Sequence, residues 1–386
     1  MVKFKNRLKA ISMFSNVGMA ETYFEELGID VVIANELLKE RCLFYKHLYP
    51  NVEVIQGDIT NLDIFNTIYR IAKKENVELL IATPPCQGMS CAGKKDPFDI
   101  RNNLIYYAIE MIKKLKPKFV ILENVPMQNH TKINHNGKYV YIPDYINYEL
   151  SNLYNINDNR IVNTKNFGIA QSRTRCVYLM VRKDLGFKWE FPKEEPNIIT
   201  LKEAIGNLPS LDPELREESE KWRFPEFEEK KRAGLKVSKW HYPPIHSWKQ
   251  VEWMIHTPSG KSARENEHFF PQKNGRRIKG APRTYMRMDW NKPATTVMQN
   301  SNVISAFTNV HPGRVIVDAV DDSRIYSDPR CLTIYELLIV SSLPLNWNIP
   351  EWASDKLIRE VIGEGIPPLL IKKAIENLIK VGHYDR

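Results

Sequence analysis

The sequence has few of the features that mark secreted, zinc-binding or membrane-spanning proteins. It contains only five cysteines and no CxxC pair, so neither a disulfide framework nor a zinc finger is expected. It has no run of roughly 18 apolar residues, and the apolar stretch near the N-terminus is interrupted by Ser12, Ser15 and Asn16. Internal repeats are also missing. These absences predict a soluble protein of the reducing cytoplasm without a membrane partner.

The chain is long and basic. Its 386 residues are enough for one large core and a smaller second domain. Lysine and arginine number 55 against 46 acidic residues, which gives a net charge of +9. An excess of positive charge favours a polyanionic partner, although part of it could belong to an ordinary solvated surface.

Residues 1–183 alternate buried strand patterns with helical patterns. Short apolar runs predict parallel strands, and a helical period is visible after Asn61, over 102–115 and, more briefly, over 20–27. The predicted strands are 10–14, 31–34, 52–55, 79–82 and 119–122. This βα rhythm predicts an α/β fold with a doubly wound sheet.

The rhythm ends after Arg182, and the composition changes. Prolines, tryptophans and histidines are frequent from 184 to 282, and helical patterns return at 333–343 and from 355 onward. We therefore expect a catalytic and cofactor-binding domain at 1–184, a second, smaller and irregular domain with a hinge at 185–345, and a C-terminal segment at 346–386. A basic cluster lies in the irregular region: Lys273, Arg276, Arg277, Lys279 and Arg283.

Polar residues follow four of the predicted strands, where a doubly wound sheet presents side chains to a ligand. Glu36, Asp58, Cys86 and Glu123 follow strands two to five in that order. A glycine turn after the first strand and an acid after the second suit a nucleoside, because the acid can accept both ribose hydroxyls. The turn SNVGMA is not GxGxxG, which disfavours NAD. Taken singly, each acid could be a solvated strand cap and the cysteine a small buried hydrophobe.

Cys86 directly follows the fourth predicted strand and the two prolines that end it. Pro84 and Pro85 stop the fourth strand, because proline has no amide hydrogen for a sheet ladder. A thiol directly after them would lie at the mouth of a ligand site, where a nucleophile is expected.

The order and spacing of these residues resemble those of the conserved motifs in DNA cytosine-5 methyltransferases of the bacterial type. PCQ, ENV and QxRxR in this order, followed by a long variable segment, are highly specific to that family. The matching segments are the turn at Phe14, Glu36, Asp58, Pro85-Cys86-Gln87, 99–104, Glu123-Asn124-Val125, 171–175, RMDWNKPATT at 287–296, and 362–368.

The resemblance implies a Rossmann-like methyltransferase sheet that uses S-adenosyl-L-methionine, with the irregular middle as a target-recognition domain for double-stranded DNA. The implied cofactor-binding residues are Phe14, Asn16, Gly18, Met19, Glu36, Leu37, Asp58, Ile59, Leu104, Glu364 and Gly365. The DNA-binding residues expected are Gln87, Ser90, Lys273, Arg276, Arg277 and Arg283. No metal site is expected.

The chemistry explains the residue types. C5 of cytosine is a weak nucleophile, and thiolate attack by Cys86 at C6 would turn it into an enamine carbon. Glu123 would protonate or hydrogen-bond N3. By resemblance, Arg175 would contact the base O2 and Arg173 would help to hold the catalytic loop or the base. The target must be flipped out of the duplex, and the loop from 87 to about 101 could fill the gap.

Two positions depart from the family pattern. The three glycines of the first motif align with Asn16, Gly18 and Met19. Glu364 stands where the last motif usually has asparagine. Neither departure involves Cys86 or Glu123.

We therefore expect a monomeric DNA cytosine-5 methyltransferase, the modification half of a restriction–modification system whose endonuclease acts separately. Two alternatives remain open. The same fold could act on tRNA, although the long middle region argues against this. The chain could also be a catalytically silent DNA-binding homologue, although Cys86, Glu123 and Arg175 are all present. A third, NAD-linked oxidoreductase, is disfavoured by the first turn.

Overall fold

The computed structural model describes residues 2–85, 100–278, 280–281, 283–320 and 323–384, without the side chains of residues 100 and 101. These residues form a central mixed sheet of eight strands in the order β3-β2-β1-β4-β5-β10-β8, with β9 also paired to β10. The strands are β1 Leu8–Met13, β2 Ile29–Glu36, β3 Glu53–Gln56, β4 Leu79–Ala82, β5 Phe119–Asn124, β8 Tyr154–Ile156, β9 Ile161–Asn163 and β10 Thr174–Arg182. The five predicted strands are confirmed, with boundaries shifted by up to two residues.

The first five strands of the sheet are parallel, and β10 is antiparallel to β5, β8 and β9. The strand order reverses between β1 and β4, which is the point where open α/β sheets bind ligands beyond the carboxyl ends of their strands. Glu36 and Glu123 end on that edge because β2 and β5 run parallel to β1 and β4. The doubly wound α/β sheet predicted from the sequence is confirmed.

Two apolar clusters cover the two faces of the sheet. One contains Ile11 and Met13 of β1 together with three helices of the first half of the chain, at 62–74, 105–115 and 142–150. The other contains Ala10 of β1 and the last helix, at 368–381. The helices of the first half are α1 Lys39–Leu48, α2 Leu62–Lys74, α3 Ile105–Leu115 and α4 Ile142–Leu150. The predicted cap is present, because the Asn61 side chain accepts a hydrogen bond from the Asp63 amide at 2.8 Å. Two further strands, β6 Lys132–His135 and β7 Lys138–Tyr141, form a hairpin before α4.

The helix predicted over residues 20–27 is wrong. The segment is a run of turns, in which the Phe24 amide donates to the Glu21 carbonyl at 2.8 Å and the Leu27 amide to the Phe24 carbonyl at 3.0 Å. Hydrogen bonds of this three-residue span wind the backbone more tightly than an α-helix. The tight winding lets Glu21 and Phe24 both be buried within eight residues of β2.

The middle region contains more regular structure than its composition indicates. Its helices are α5 Leu201–Ile205, α6 Phe227–Val237 and α7 Trp248–Ile255. Its strands form three short pairs: β11 Glu214–Leu215 with β12 Ile245–His246, β13 Gln272–Lys273 with β14 Arg276–Arg277, and β15 Val315–Val317 with β16 Ile325–Tyr326. A separate apolar cluster, which includes Leu215, Val251 and Met254, lies in this region.

The last helices join the two parts of the molecule. They are α8 Ile334–Val340, α9 Asp355–Glu364 and α10 Pro368–Val381, which confirms the helical patterns expected there. One apolar cluster contains Val17 and Met19 after β1, Met288 and Val297, and residues of α8 and α9. No helix in the described ranges is long and apolar enough to cross a bilayer.

Buried charges and histidines fix the region before α8. The guanidinium of Arg330 is fully buried and donates to Asp328 at 2.8 Å and to Glu336 at 2.9 and 3.0 Å. Nearby, Nε2 of His246 accepts a hydrogen bond from the Cys331 amide at 3.1 Å. Burial, assisted by surrounding arginines, lowers the pKa of His246 to about 3. The histidine is therefore neutral in the folded protein at neutral pH.

Candidate active site

A cleft of about 1800 Å³ opens at the carboxyl edge of the sheet. One wall is formed by the turn after β1 and the ends of β2 to β5, and the other by the segment 283–308. The junction between α9 and α10 closes one end of the cleft, because residues 363–366 also line it. The cleft thus collects residues from the N-terminal third, the middle and the C-terminal segment of the chain.

The turn after β1 has a backbone that favours glycine or asparagine. Phe14, Asn16 and Gly18 have φ angles of 57°, 49° and 78°. Asparagine tolerates this left-handed region better than other side chains, so Asn16 keeps the turn that the family builds with glycine. The φ angle of Met19 is not positive, so its backbone conformation does not require glycine.

Glu36 is held against this turn. Its Oε2 accepts from the Asn16 amide at 2.9 Å, and its Oε1 accepts from the amides of Leu37 and Leu38 at 2.9 and 3.0 Å. The side chain is 8% exposed and lines the cleft. Burial raises the pKa of Glu36, while the three amide donors and Arg41 act in the opposite direction. The carboxylate is fixed in position and retains acceptor capacity toward the cleft.

The other residues predicted to bind the cofactor in the N-terminal part of the chain lie around the same wall. Asp58 is exposed, and its Oδ1 accepts from the Thr60 amide at 2.9 Å, while Ile59 is buried directly behind it. Leu37 is 56% exposed although it is apolar, and Leu104 is half-buried. All four line the cleft, so three apolar side chains and an acid surround the space next to Glu36.

The two departures from the family pattern are accommodated by specific contacts. A Cβ atom at Gly365 would overlap the Met19 sulfur and lie 2.9 Å from its Cε, so Met19 fills space that only a glycine at 365 leaves open. Glu364 forms an ion pair with Arg41 and also accepts a hydrogen bond from Gln299. The acid at position 364 therefore has a basic partner, which α1 supplies.

Glu123 and Arg175 form the charged pair on the floor of the cleft. Arg175 Nε lies 2.9 Å from Glu123 Oε1, and the two side chains are only 11% and 12% exposed. The pairing of β10 with β5 produces this contact, because Val177 lies opposite Glu123 in the antiparallel ladder. Burial raises the pKa of Glu123 although Arg175 and Arg173 act to lower it. The carboxyl is therefore more easily protonated than a surface glutamate.

The end of β4 is fixed beside Glu123. The Asn124 side-chain amide donates to the Pro84 carbonyl at 3.1 Å, and Thr83 Oγ1 donates to the Phe14 carbonyl at 2.9 Å. Pro84 and Pro85 line the cleft. Cys86, Gln87 and Ser90, predicted from the sequence to act on the base and the DNA, lie outside the described residues.

Arg173 and Gln171 connect the cleft wall to the rest of the chain. Arg173 is 2% exposed, and its guanidinium donates to the carbonyls of Val297 and Gly363 at 2.8 Å and of Glu364 at 3.2 Å. Gln171 accepts from the Val297 amide at 3.2 Å. Arg173 thus holds the backbone of the motif at 362–368. Its predicted role in holding the catalytic loop or the base stays a prediction, because that loop lies outside the described residues.

The predicted DNA-binding residues are divided between two places. Arg283 is exposed and lines the cleft. Lys273, Arg276 and Arg277 are exposed on the β13–β14 hairpin; the Arg277 guanidinium stacks 3.6 Å from the Phe270 ring and donates to the Arg264 carbonyl at 2.6 Å. Lys279, the remaining member of the basic cluster, lies outside the described residues.

Several cleft residues were not found by sequence reasoning. Lys165 and Lys292 add positive charge to the walls, Arg41 pairs with Glu364, and Ser12 and Glu21 lie behind the first turn. Arg41 stands five residues after Glu36 in α1, which is the one local signal that could have indicated it. In the described parts of the chain, His, Cys, Asp and Glu side chains form no group that could hold a metal ion.

The fold and cleft are those of a Rossmann-like methyltransferase, with the segment 283–308 facing the carboxyl edge of its sheet. The family model for C-5 cytosine-specific DNA methylases matches residues 8–380, and the chain belongs to that family.

Individual relatives and a solved structure agree with this family assignment. The chain is 40% identical over 380 residues to the Type II methyltransferase M1.HgaI of Avibacterium volantium, covering 97% of this chain and 99% of the relative. It is 27% identical over 390 residues to the Type II methyltransferase M.DdeI of Desulfomicrobium norvegicum, covering 96% and 88% of the two chains. Among solved structures, the methyltransferase EhMeth of Entamoeba histolytica superposes with a TM-score of 0.62 at 14% identity, covering 98% of this chain and 99% of that one.

Proposed function

We propose that this DNA methyltransferase transfers a methyl group from S-adenosylmethionine to C5 of a cytosine flipped out of duplex DNA, through a covalent bond to Cys86. The observation that carries the proposal is the buried Glu123–Arg175 pair, which faces the same cleft as the Glu36 turn. A base-binding acid and a nucleoside-binding acid thus open into one space, as direct methyl transfer requires.

The residues of the first wall fit the nucleoside half of S-adenosylmethionine. Glu36 offers a fixed carboxylate to the ribose hydroxyls, and the exposed Leu37 offers an apolar face to the adenine. Asn16 Oδ1 is buried without a partner among the described residues, so an acceptor is available there to a ligand donor. When bound, the sulfonium supplies an electrophilic methyl group. The proposed contacts are those of Phe14, Asn16, Gly18, Met19, Glu36, Leu37, Asp58, Ile59, Leu104, Glu364 and Gly365.

The chain's own groups would activate the ring. The Cys86 thiolate forms a bond to C6, and the displaced electron pair makes C5 nucleophilic. Glu123 holds a proton at N3, for which its raised pKa is suited. Arg175 keeps Glu123 in place and donates toward O2. After methylation C5 loses its proton to a water molecule, the returning electron pair expels the thiolate, and N3 gives its proton back to Glu123.

We assign target recognition to residues 185–345. Arg283 on the cleft wall and Lys273, Arg276 and Arg277 on the β13–β14 hairpin would contact phosphates, with Gln87 and Ser90 acting near the flipped base. Phosphate contacts of this kind should give a steep salt dependence of DNA affinity.

The relatives named Type II methyltransferases support a role in a restriction–modification system, with an endonuclease acting separately. We propose that the enzyme works as a monomer, since one chain supplies residues to every wall of the cleft.

A duplex carrying 5-fluorocytosine tests the mechanism, because fluorine at C5 blocks the final proton loss and traps the adduct. Incubation with S-adenosylmethionine should yield a denaturant-resistant protein–DNA complex. Cys86→Ser should yield none, and Cys91→Ser, which removes the nearest other thiol in the sequence, should yield as much as the wild type.

The same experiment separates the alternatives. A mixed-sequence duplex library should supply the target site, and a tRNA pool carrying the same modified base serves as the second substrate. An adduct on RNA alone would indicate the tRNA branch, and no adduct on either would indicate a silent homologue. An adduct that survives Cys86→Ser would refute the assignment of the nucleophile.

A further inference from the structure

Glu21 is a buried acid that the mechanism above does not use. It follows the turn after β1 and is 3% exposed, yet it lines the cleft. Its side-chain partner is the Ser12 hydroxyl, and the titratable groups that act on it are the buried phenols of Tyr45 on α1 and Tyr49 directly after α1. Ser12 lies opposite Ile81 in the β1–β4 ladder, so this part of the cleft adjoins the two central strands of the sheet.

The carboxyl of Glu21 lacks the compensation that other buried acids of this protein have. Glu336 is paired with Arg330, and Glu36 accepts three amide hydrogen bonds. Glu21 has one side-chain partner, the Ser12 hydroxyl, and no cation of the described ranges acts on it. Burial raises the pKa of Glu21 to about 7. A buried carboxylate of this kind is unfavourable unless a positive group joins it.

The other acids of the cleft already have assignments. Glu36 and Asp58 face the nucleoside, Glu123 is paired with Arg175, and Glu364 is paired with Arg41. S-adenosylmethionine joins a nucleoside to an amino acid, which brings a second cation, the α-ammonium group. Glu21 is the remaining acid among the described lining residues.

We propose that Glu21 binds the α-ammonium group of the methyl donor. This inference rests on the proposed use of S-adenosylmethionine. It assigns the amino-acid half of the donor to the part of the cleft beside Ser12 and Glu21.

The inference predicts a proton linkage. At pH 6.5 a large fraction of Glu21 is protonated in the free protein, because its pKa is about 7. The ammonium binds the carboxylate, so binding must release a proton at this pH. Affinity for the donor should therefore rise as the pH increases from 6 to 7.5.

Isothermal titration calorimetry of the full chain with S-adenosylhomocysteine tests this, since that product keeps the amino acid and the nucleoside. 5′-Methylthioadenosine, which lacks the amino acid, is the comparison ligand. Glu21→Gln should weaken binding of S-adenosylhomocysteine about tenfold or more and leave 5′-methylthioadenosine unchanged. The buffer dependence of the enthalpy at pH 6.5, which reports proton release, should also disappear. Glu25→Gln, an exposed acid of the same turn segment, should behave as the wild type.

Each other outcome is decisive. Equal weakening of both ligands by Glu21→Gln would make Glu21 a structural residue and overturn the inference. Wild-type protein that binds neither ligand would refute the proposed donor, and with it the inference. If Glu21→Gln lowers the thermal midpoint, Glu21→Asp is the second variant, because it keeps the charge. It should still release a proton on binding, and it should lose affinity for S-adenosylhomocysteine but not for 5′-methylthioadenosine. Loss of proton release in Glu21→Asp would overturn the inference.

Discussion

Arg41 and Glu364 form an ion pair across 323 residues of sequence, with Arg41 Nη2 donating to Glu364 Oε1 at 2.8 Å. The two side chains are 15% and 22% exposed, so solvent screens the pair only partly. Position 364 is asparagine in the usual family motif, and here the acid occurs together with a basic partner on α1. The pair links the wall that bears Glu36 to the end of α9.

A double-mutant cycle should detect this link. We expect a coupling free energy of about 1 kcal/mol between Arg41→Gln and Glu364→Gln, because both groups are partly desolvated. Urea unfolding of the four proteins measures it. Lys356 and Glu360 provide the control: their 3.7 Å contact on α9 involves an 81% exposed lysine, and the coupling there should be close to zero. Equal coupling for the two pairs would contradict the assigned role of Arg41.

Glu123→Gln should lower the rate of methyl transfer roughly 100- to 10,000-fold, because an amide cannot deliver a proton to N3. The change keeps an acceptor for Arg175 but leaves its guanidinium without a counter-charge, so the thermal midpoint should fall and the rate must be measured below it. Single-turnover methylation with saturating DNA measures the chemical step separately from binding. Glu110→Gln on the outer face of α3 is the control and should retain the wild-type rate. A Glu123→Gln rate within threefold of the wild type would argue against acid catalysis by this residue.

Gly363→Ala should destabilise the protein, although alanine normally favours a helix over glycine by up to about 1 kcal/mol. A Cβ at Gly363 would lie 2.5 Å from the Gln299 nitrogen and 2.6 Å from the Met298 oxygen, and backbone atoms cannot give way as a flexible side chain can. We expect a loss of about 1–3 kcal/mol in the free energy of unfolding. Gly280→Ala, whose nearest contact would be 3.5 Å away, should be nearly neutral. A stabilised Gly363→Ala variant would show that α9 can move away from this segment.

His246 should make stability depend on pH on the acid side. Its pKa is about 3 in the folded protein and near the ordinary 6.5 when unfolded, so the unfolded chain binds the extra proton first. Stability from this residue is therefore fully present above about pH 7.5 and is lost as the pH falls below 6.5. Between pH 7.5 and 5.5 the loss should be about 1.4 kcal/mol.

His246→Gln tests this, since its side-chain oxygen can still accept from the Cys331 amide. The free energy of unfolding of both proteins is measured in urea at pH 7.5 and at pH 5.5. Between these two pH values the wild type should lose about 1.4 kcal/mol more than the variant does. An identical pH dependence in both proteins would indicate that His246 is also neutral when unfolded, or that it becomes protonated within the fold.

The strand ends of the first domain could be predicted because local sequence determines them. Apolar runs of four or five residues specify buried parallel strands, and parallel strands must end on one edge, which brings Glu36 and Glu123 into the same cleft. The resemblance supplied the family, which the family model confirms.

Contacts between distant segments could not be predicted in the same way. No local pattern indicates that Arg173 donates to the carbonyls of Val297 and Gly363, since both acceptors are backbone groups that any residue would provide. The helix predicted over residues 20–27 was wrong for a related reason. The apolar spacing of this segment suits a helix, but the buried positions of Glu21 and Phe24 require tighter turns.

The helix α10 has a consequence for the way this protein is made. Leu370, Ile371, Ala374 and Leu378 cover the face of the sheet that includes Ala10, Leu79 and Phe119. On the ribosome the strands emerge first and this helix near the end of synthesis, so one apolar face of the nascent chain stays uncovered for most of translation. Chains that stall before residue 366 should therefore depend on chaperones to escape aggregation.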